Sequence, residues 1–159
     1  MFFYLCFFKR FAGKVLKWRG KMIESRREQF GPHLMLDLRK CDGEKLKDYQ
    51  HIFGVLDELP EKIGMTKITQ PYVFPYSGLH PEDKGITGTV IIAESHISIH
   101  TFQEKDYCFV DVFSCKDFDV EFAAKYIIDA FESKEYDRYV VERGKDFVRY
   151  KQPKMSAVV

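Results

Sequence analysis

No stretch of the 159-residue chain approaches the roughly 18 to 20 apolar residues that span a bilayer, so a membrane-crossing helix is not expected. Internal repeats and low-complexity tracts are also missing, which argues against solenoids and disordered scaffolds. Neither sign of charge prevails: 25 Lys and Arg stand against 24 Asp and Glu, a formal net charge of +1. A whole-chain electrostatic footprint for nucleic acid or an anionic membrane is therefore absent. The four cysteines, Cys6, Cys41, Cys108 and Cys115, form no CxxC pair and no dense framework. With 45% hydrophobic residues, one domain of this size needs no disulfide staples. A reducing cytoplasm is the expected compartment.

What charge there is lies unevenly. Met1 to Lys21 holds six basic residues, no acidic ones, and the aromatic cluster Phe2, Phe3, Tyr4, Phe7, Phe8 and Phe11. The rest keeps 19 basic against 24 acidic residues, a formal charge of −5. A secretory signal places its positive charges before its apolar stretch; here MFFYLCFF comes first, so export is not expected. The block fits a short amphipathic helix for a membrane surface or a partner. The preferred reading is a 1–21 extension before a domain, residues 22–159, that opens at Met22.

In Pro32 to Leu38, Leu34, Leu36 and Leu38 alternate with His33, Met35 and Asp37, the period of a strand with one buried face. Asp42 then stands where it can cap a helix. Leu46, Tyr49, Phe53 and Leu56 recur at helical spacing until Pro60. Lys67 to Phe74 reads as a short strand interrupted by Pro71, and Pro75 to Thr87 as a polar loop. From about Gly88, TVIIAESHISIHTF is one long strand, or two separated by a bulge near Glu94 and Ser95. YCFVDVFS (Tyr107 to Ser114) is its hairpin partner. Asp119 to Glu132 carries Phe122, Ala123, Tyr126, Ile127, Ala130 and Phe131 on one helical stripe, and Tyr136 to Arg143 is a last strand.

Strands joined by short loops favour an α+β fold, a two-layer sandwich with an antiparallel sheet and two helices on one face. Apolar side chains on both faces of Gly88 to Phe102 lead us to expect a second protomer over the other sheet face.

Glu94-Ser95-His96-Ile97-Ser98-Ile99-His100 is the densest polar segment on an otherwise apolar strand. Glu94, His96, Ser98 and His100 share a face by the period of two, which suggests a metal site. On one strand, however, His96 and His100 lie roughly 13 Å apart, too far for a single ion without other ligands. A nucleophilic triad around Ser95 lacks GxSxG and its strand-to-helix elbow. A strand whose exposed face collects Ser and His is the remaining generic reading. Cys108 reads as core filler, His96 as a packing neighbour of Ser95, and Asp111 as a structurally paired acid.

AESHISIHTF, followed by Glu104 and by DVFSC ending at Cys115, resembles the small prokaryotic pyruvoyl-dependent S-adenosylmethionine decarboxylase proenzymes. The resemblance runs from Gly31 to Gly144 and includes HLMLDLRKCD, GITGTVIIAESH and YVVERG. It implies that the chain cuts itself between Glu94 and Ser95, giving a β chain 1–94 and an α chain 95–159 capped by pyruvate. Carried over by position, Ser95 becomes the covalent pyruvoyl cofactor that forms a Schiff base with substrate. His100 becomes the proton acceptor of processing, and Cys115 the catalytic proton donor. Thr87, in GITG, stands where a Ser often helps processing. Glu104 stands where a carboxylate contacts the ligand's ribose, and Phe102 offers an aromatic surface beside it. No metal is implied. The product implied is decarboxylated S-adenosylmethionine, the aminopropyl donor for spermidine.

These residue types suit that chemistry. No natural side chain is an electrophilic electron sink, so loss of CO₂ from an amino acid calls for a cofactor or a modified residue. A neutral imidazole serves as base near neutral pH, and a thiol with an ordinary pKa near 8.5 can return a proton. Ser95 and His100 are five residues apart, about 16 Å on an extended strand and on opposite faces. His100, Thr87 and Glu104 are therefore expected to meet Ser95 of another protomer across a two-fold interface, giving a homodimer with two composite sites. A sharp bulge would instead allow a site within one chain.

Two departures from the family pattern fall near the adenosyl position: HTFQEK replaces HTWPE, and Val73 to Lys84 is longer than usual. Gln103 in place of proline loses a rigid φ. They keep open a same-fold pyruvoyl decarboxylase of arginine or ornithine, with Glu82 and Asp83 as acidic groups for a distal cation. An uncleaved regulatory paralogue is the reading from another class, and intact Ser95, His100 and Cys115 argue against it.

Overall fold

The computed structural model describes residues 30–147; the expectations for residues 1–21 and for a loose tail beyond Tyr150 lie outside them. Six strands form one sheet in the order β2-β3-β4-β5-β1-β6, with every neighbouring pair antiparallel. The strands are β1 (Gly31–Arg39), β2 (Tyr72–Tyr76), β3 (Gly85–Ile92), β4 (Ser95–Phe102), β5 (Tyr107–Ser114) and β6 (Glu135–Arg143). Three helices, α1 (Gly43–Lys47), α2 (Tyr49–Lys62) and α3 (Val120–Ala130), complete the α+β fold.

β1 alternates as its sequence demands: Leu34, Leu36 and Leu38 are fully buried while the residues between them are not. Asp42 caps α1 by accepting the N–H groups of Glu44 and Lys45. The expected single helix is two. The Asp48 carboxylate accepts the N–H groups of Gln50 and His51, so Asp48 ends α1 and caps α2. Nor does Pro60 stop the pattern, since it lies buried inside α2. The helix ends instead at Lys62, and Gly64, two residues on, has a φ of +71° that permits a left-handed cap. Gly64 N–H donates to Glu61 O at 3.0 Å and Met65 N–H to Pro60 O at 2.8 Å.

β2 begins after Pro71 rather than at Lys67 and contains Pro75. A proline is tolerated there because β2 is an edge strand. Lys67 makes only an isolated bridge to Ile92. β3 starts at Gly85, three residues before the expected Gly88, because Ile86 and Gly85 already pair with Pro75 and Tyr76. Of the two expectations, the one with two strands divided near Glu94 and Ser95 holds, but the break is a hairpin turn and not a bulge: β3 and β4 pair from Thr87↔His100 to Ile92↔Ser95 around the two-residue turn Ala93-Glu94.

All three helices cover one face of the sheet. The row Leu36–Val110–Ile99–Gly88 crosses its middle. A Cβ on Gly88 would lie 2.6 Å from Leu56 Cδ1, so α2 packs directly on that backbone. In α3, Ala123, Ala124 and Ile127 face the core, followed by Phe131. Phe122 falls off the expected stripe and is exposed. The buried Thr101 hydroxyl donates to Leu46 O at 2.8 Å and accepts Ile86 N–H at 2.9 Å, tying α1 to the sheet.

Among the described residues, no helix covers the other face. In register it presents His33, Met35, Thr87, Thr89, Ile91, His96, Ser98, His100, Phe109, Asp111 and Phe113. Ile91 and Phe109 are 39% and 38% exposed there.

Candidate active site

The residues singled out by the sequence fall into two groups, at opposite ends of β4. The first surrounds the Ala93-Glu94 turn. Neither residue has strong turn chemistry, and the turn is held from a distance by Thr66. Ala93 N–H donates to Thr66 O at 2.8 Å, and Thr66 N–H donates to Glu94 Oε2 at 3.0 Å. Across the β4–β5 seam Ser95 pairs with Ser114. Cys115, the next residue, donates its backbone N–H to the carbonyl oxygen of Glu94 at 2.8 Å. The oxygen of the Glu94–Ser95 peptide bond thus has a fixed donor. The Ser95 hydroxyl lies 3.1 Å from Nδ1 of His96, whose ring packs edge-on against Phe113.

Two residues that the sequence did not single out position Cys115. Ser114 is fully buried; its hydroxyl donates to Lys116 O at 2.7 Å and accepts Lys116 N–H at 2.9 Å, bracing the backbone on both sides of Cys115. Gly31 lets β1 press against the same backbone, since a Cβ there would lie 2.1 Å from Ser114 O and 2.9 Å from Cys115 Cα. Cys115 itself is half-buried. Cys108, by contrast, is fully buried in the core, and burial pushes its pKa well above the ordinary range; Cys41 rises to about 11 for the same reason.

The second group begins at the opposite end of the hairpin. Thr87 Oγ1 lies 3.1 Å from Nδ1 of His100 across the β3–β4 seam, on the helix-free face. Phe102 packs at right angles to Phe109, and Tyr107 lies 4.8 Å from the same ring. With Lys105 these aromatics line a cleft of about 230 Å³. Glu104 stands beside it on the 3-10 turn Gln103–Lys105, its Oε1 accepting Gln103 Nε2 at 3.1 Å. Asp83, one of the loop carboxylates considered for a distal cation, is paired with Lys105 at 2.6 Å.

Between the groups Asp111 lies near the centre of the helix-free face. It accepts from His33 Nε2 at 3.2 Å and from the Ser98 hydroxyl at 3.5 Å, the structural pairing expected of it. Ser95 and His100 lie five residues apart on the one strand, on opposite faces and about 16 Å apart. The competing geometry, a bulge bringing them together, is not what forms: the chain bends before Ser95, leaving Ser95 and His100 on the same straight strand. Among the described residues, no group of three or more His, Cys, Asp or Glu side chains is arranged to hold a metal ion. No helix among them is long and apolar enough to cross a membrane.

The S-adenosylmethionine decarboxylase family profile matches residues 32–144, which hold both groups. The chain belongs to the S-adenosylmethionine decarboxylase family. An S-adenosylmethionine decarboxylase proenzyme from Thermodesulfovibrio yellowstonii is 38% identical over 115 residues, covering 72% of this chain and 81% of the relative. The proenzyme of the same designation from Bacillus velezensis is 33% identical, covering 79% of this chain and 94% of its own length. In three dimensions the chain is similar to the crystal structure of adenosylmethionine decarboxylase from Aquifex aeolicus VF5. That likeness has a TM-score of 0.65 at 31% identity, covering 79% of this chain and 98% of the other. The antiparallel α+β sandwich expected from the strand and helix pattern is therefore the architecture of a decarboxylase-family member.

Proposed function

We propose that the chain is a proenzyme that cleaves itself between Glu94 and Ser95 and then decarboxylates S-adenosylmethionine. The observation that carries this reading is the 2.8 Å hydrogen bond from Cys115 N–H to the Glu94 carbonyl, beside the Ser95 hydroxyl. Attack of Ser95 Oγ on that carbonyl carbon places negative charge on the oxygen that Cys115 N–H already contacts, the arrangement that stabilises a tetrahedral intermediate. The amide becomes an ester. Removal of the Ser95 α-proton then expels the Glu94 carboxylate, leaving a dehydroalanine terminus that takes up water and releases ammonia. A pyruvoyl group remains on residue 95, and its ketone supplies the electron sink for decarboxylation.

His96 Nδ1, 3.1 Å from Ser95 Oγ, is the imidazole in the same chain able to take the hydroxyl proton. His100, braced by Thr87, serves as base for the α-proton from a second copy. A two-fold axis through the helix-free face near Ser98 and Asp111 would exchange the ends of β4, bringing His100, Thr87 and Glu104 of one copy to the end of β4 where the chain turns into Ser95 in the other. The exposed Ile91 and Phe109 on that face support the same homodimer. Cys115 holds the proton returned to the substrate's α-carbon. Phe102 and its aromatic neighbours suit a flat base, and Glu104 suits a ribose.

The loop chemistry favours the adenosyl substrate over arginine or ornithine. Asp83 is neutralised by Lys105, and that ammonium lines the cleft, a poor environment for a distal cation. The product, decarboxylated S-adenosylmethionine, is an aminopropyl donor of the kind spermidine synthesis consumes, and the cytoplasm is the compartment we assign. The deciding experiment is the denatured mass of purified protein with and without Ser95→Ala. Two fragments dividing after Glu94, the second beginning with pyruvoyl and both absent from the variant, support the reading. A persistent single chain of 18.8 kDa overturns it.

A further inference from the structure

The loop between β2 and β3 belongs to one of the two segments in which this chain departs from its family pattern, and it folds back onto the turn that carries Glu104. Its 3-10 turn Pro81–Asp83 is closed by Asp83 N–H to His80 O at 3.0 Å. Gly78 passes so close that a Cβ would lie 2.9 Å from Asp83 Cβ and 3.2 Å from the Tyr76 ring, so the loop wraps tightly around Asp83. Asp83 Oδ1 then meets Lys105 Nζ at 2.6 Å, and the two side chains are only 29% and 47% exposed.

Lys105 ends the turn Gln103–Lys105. The same end of the turn is also fixed to the core, because the next residue, Asp106, adopts a φ of +47° and its carbonyl accepts Cys41 N–H at 3.0 Å. The segment bearing Glu104 is therefore anchored just after Glu104, to the loop through Lys105 and to the core through Asp106. We propose that Asp83 is a positioning residue: its ion pair with Lys105 makes the loop a fixed rim of the aromatic cleft and sets where Glu104 meets the substrate. Hydrogen bonding to Asp83 raises the Lys105 pKa above its ordinary value, the direction expected of a formed pair. Asp83 acts through Lys105 and Glu104 and touches no reacting atom. The inference rests on the adenosyl-substrate reading above.

The test uses the full chain with Asp83→Asn and the conservative Asp83→Glu. Self-cleavage is followed by denatured mass, turnover by released CO₂, and equilibrium binding by calorimetry with S-adenosylmethionine methyl ester. Expected are unchanged cleavage, a KM raised about three- to fivefold in Asp83→Asn with kcat within twofold, and recovery in Asp83→Glu; an exposed pair delivers a factor of this size. The KM of the unaltered protein should also rise between about 0.05 and 0.5 M salt, while that of Asp83→Asn stays flat. A merely structural role would lower kcat or cleavage together with binding, without the split or the salt response. An unaltered protein that cleaves and turns over, with an Asp83→Asn variant of the same KM, overturns this inference and leaves the function standing. An unaltered protein that neither cleaves nor binds the methyl ester overturns both.

Discussion

Cys115 is hydrogen-bonded through its backbone N–H to the carbonyl oxygen of Glu94, so the proposed proton donor and the bond proposed to break are fixed to each other at 2.8 Å. One seam between β4 and β5 thus sets both the donor to the carbonyl proposed to react and the backbone of the residue proposed to donate the proton. On the proposed function, processing and turnover would share their scaffolding, and damage to this corner should affect both.

Ser114→Ala tests that coupling. The variant loses two hydrogen bonds that brace Lys116, a stability cost of about 1 kcal/mol. Self-cleavage should slow by much more than that loss of stability implies. Urea unfolding and the time course of cleavage give the two numbers; equal and small effects on both would show that Ser114 serves packing only.

Gly31→Ala places a methyl group 2.1 Å from Ser114 O, so β1 or the Ser114–Cys115 backbone must move. We expect a loss of about 1 to 3 kcal/mol, typical of overpacking, together with reduced turnover of whatever protein still cleaves. A thermal melt and an activity assay on the cleaved fraction check this, and a variant as active as the parent would remove Gly31 from the site.

Co-expression distinguishes a site shared between copies from one within a chain. Ser95→Ala and His100→Ala should each block cleavage alone. In mixed dimers, one site pairs an intact Ser95 with an intact His100, so about a quarter of all sites should be competent. Cleaved chains derived only from the His100→Ala parent, seen by mass, are the expected result. No cleavage in the mixture would return the site to a single chain.

The β1–β6 seam should be acid-sensitive. A hydrogen bond from Lys40 lowers the pKa of Glu135, and one from Arg39 lowers that of Asp137. Both folded-state values lie below the unfolded ones, so their contribution is complete above the ordinary carboxylate range near about 4 and disappears as pH falls through the folded values. Unfolding midpoints should drop below about pH 4, modestly because these groups are exposed, and less steeply in Arg39→Met. Parallel titrations of the two proteins would expose the error if their curves had the same slope.

The sheet was legible in the sequence where burial is one-sided, as in β1 with Leu34, Leu36 and Leu38, and where β-branched residues cluster, as in β3 and β4. Between β3 and β4 a break near Glu94 and Ser95 was one of two readings, but the tight turn was not legible, because Ala93 and Glu94 carry no turn signal of their own; Thr66, 28 residues away from Glu94, supplies the restraint. Asp48 hid for the opposite reason. Its capping carboxylate interrupts an apolar stripe whose spacing continues across the break. Ser95, His100 and Cys115 were found through motif resemblance, whereas Ser114 and Gly31 act through backbone approach, which leaves no periodic trace.

The order of the strands has a consequence for the fate of the chain once it is cut at the proposed bond. Breaking the bond after Glu94 opens a turn, yet β1 remains inserted between β5 and β6, both on the other side of the cut, while β3 still pairs with β4. The two products are interleaved along three seams, so neither can depart without unzipping a central strand. A cleaved molecule should therefore run as one particle until denatured. Once unfolded, it should refold poorly from its separated pieces, since each alone lacks the strands that flank its own.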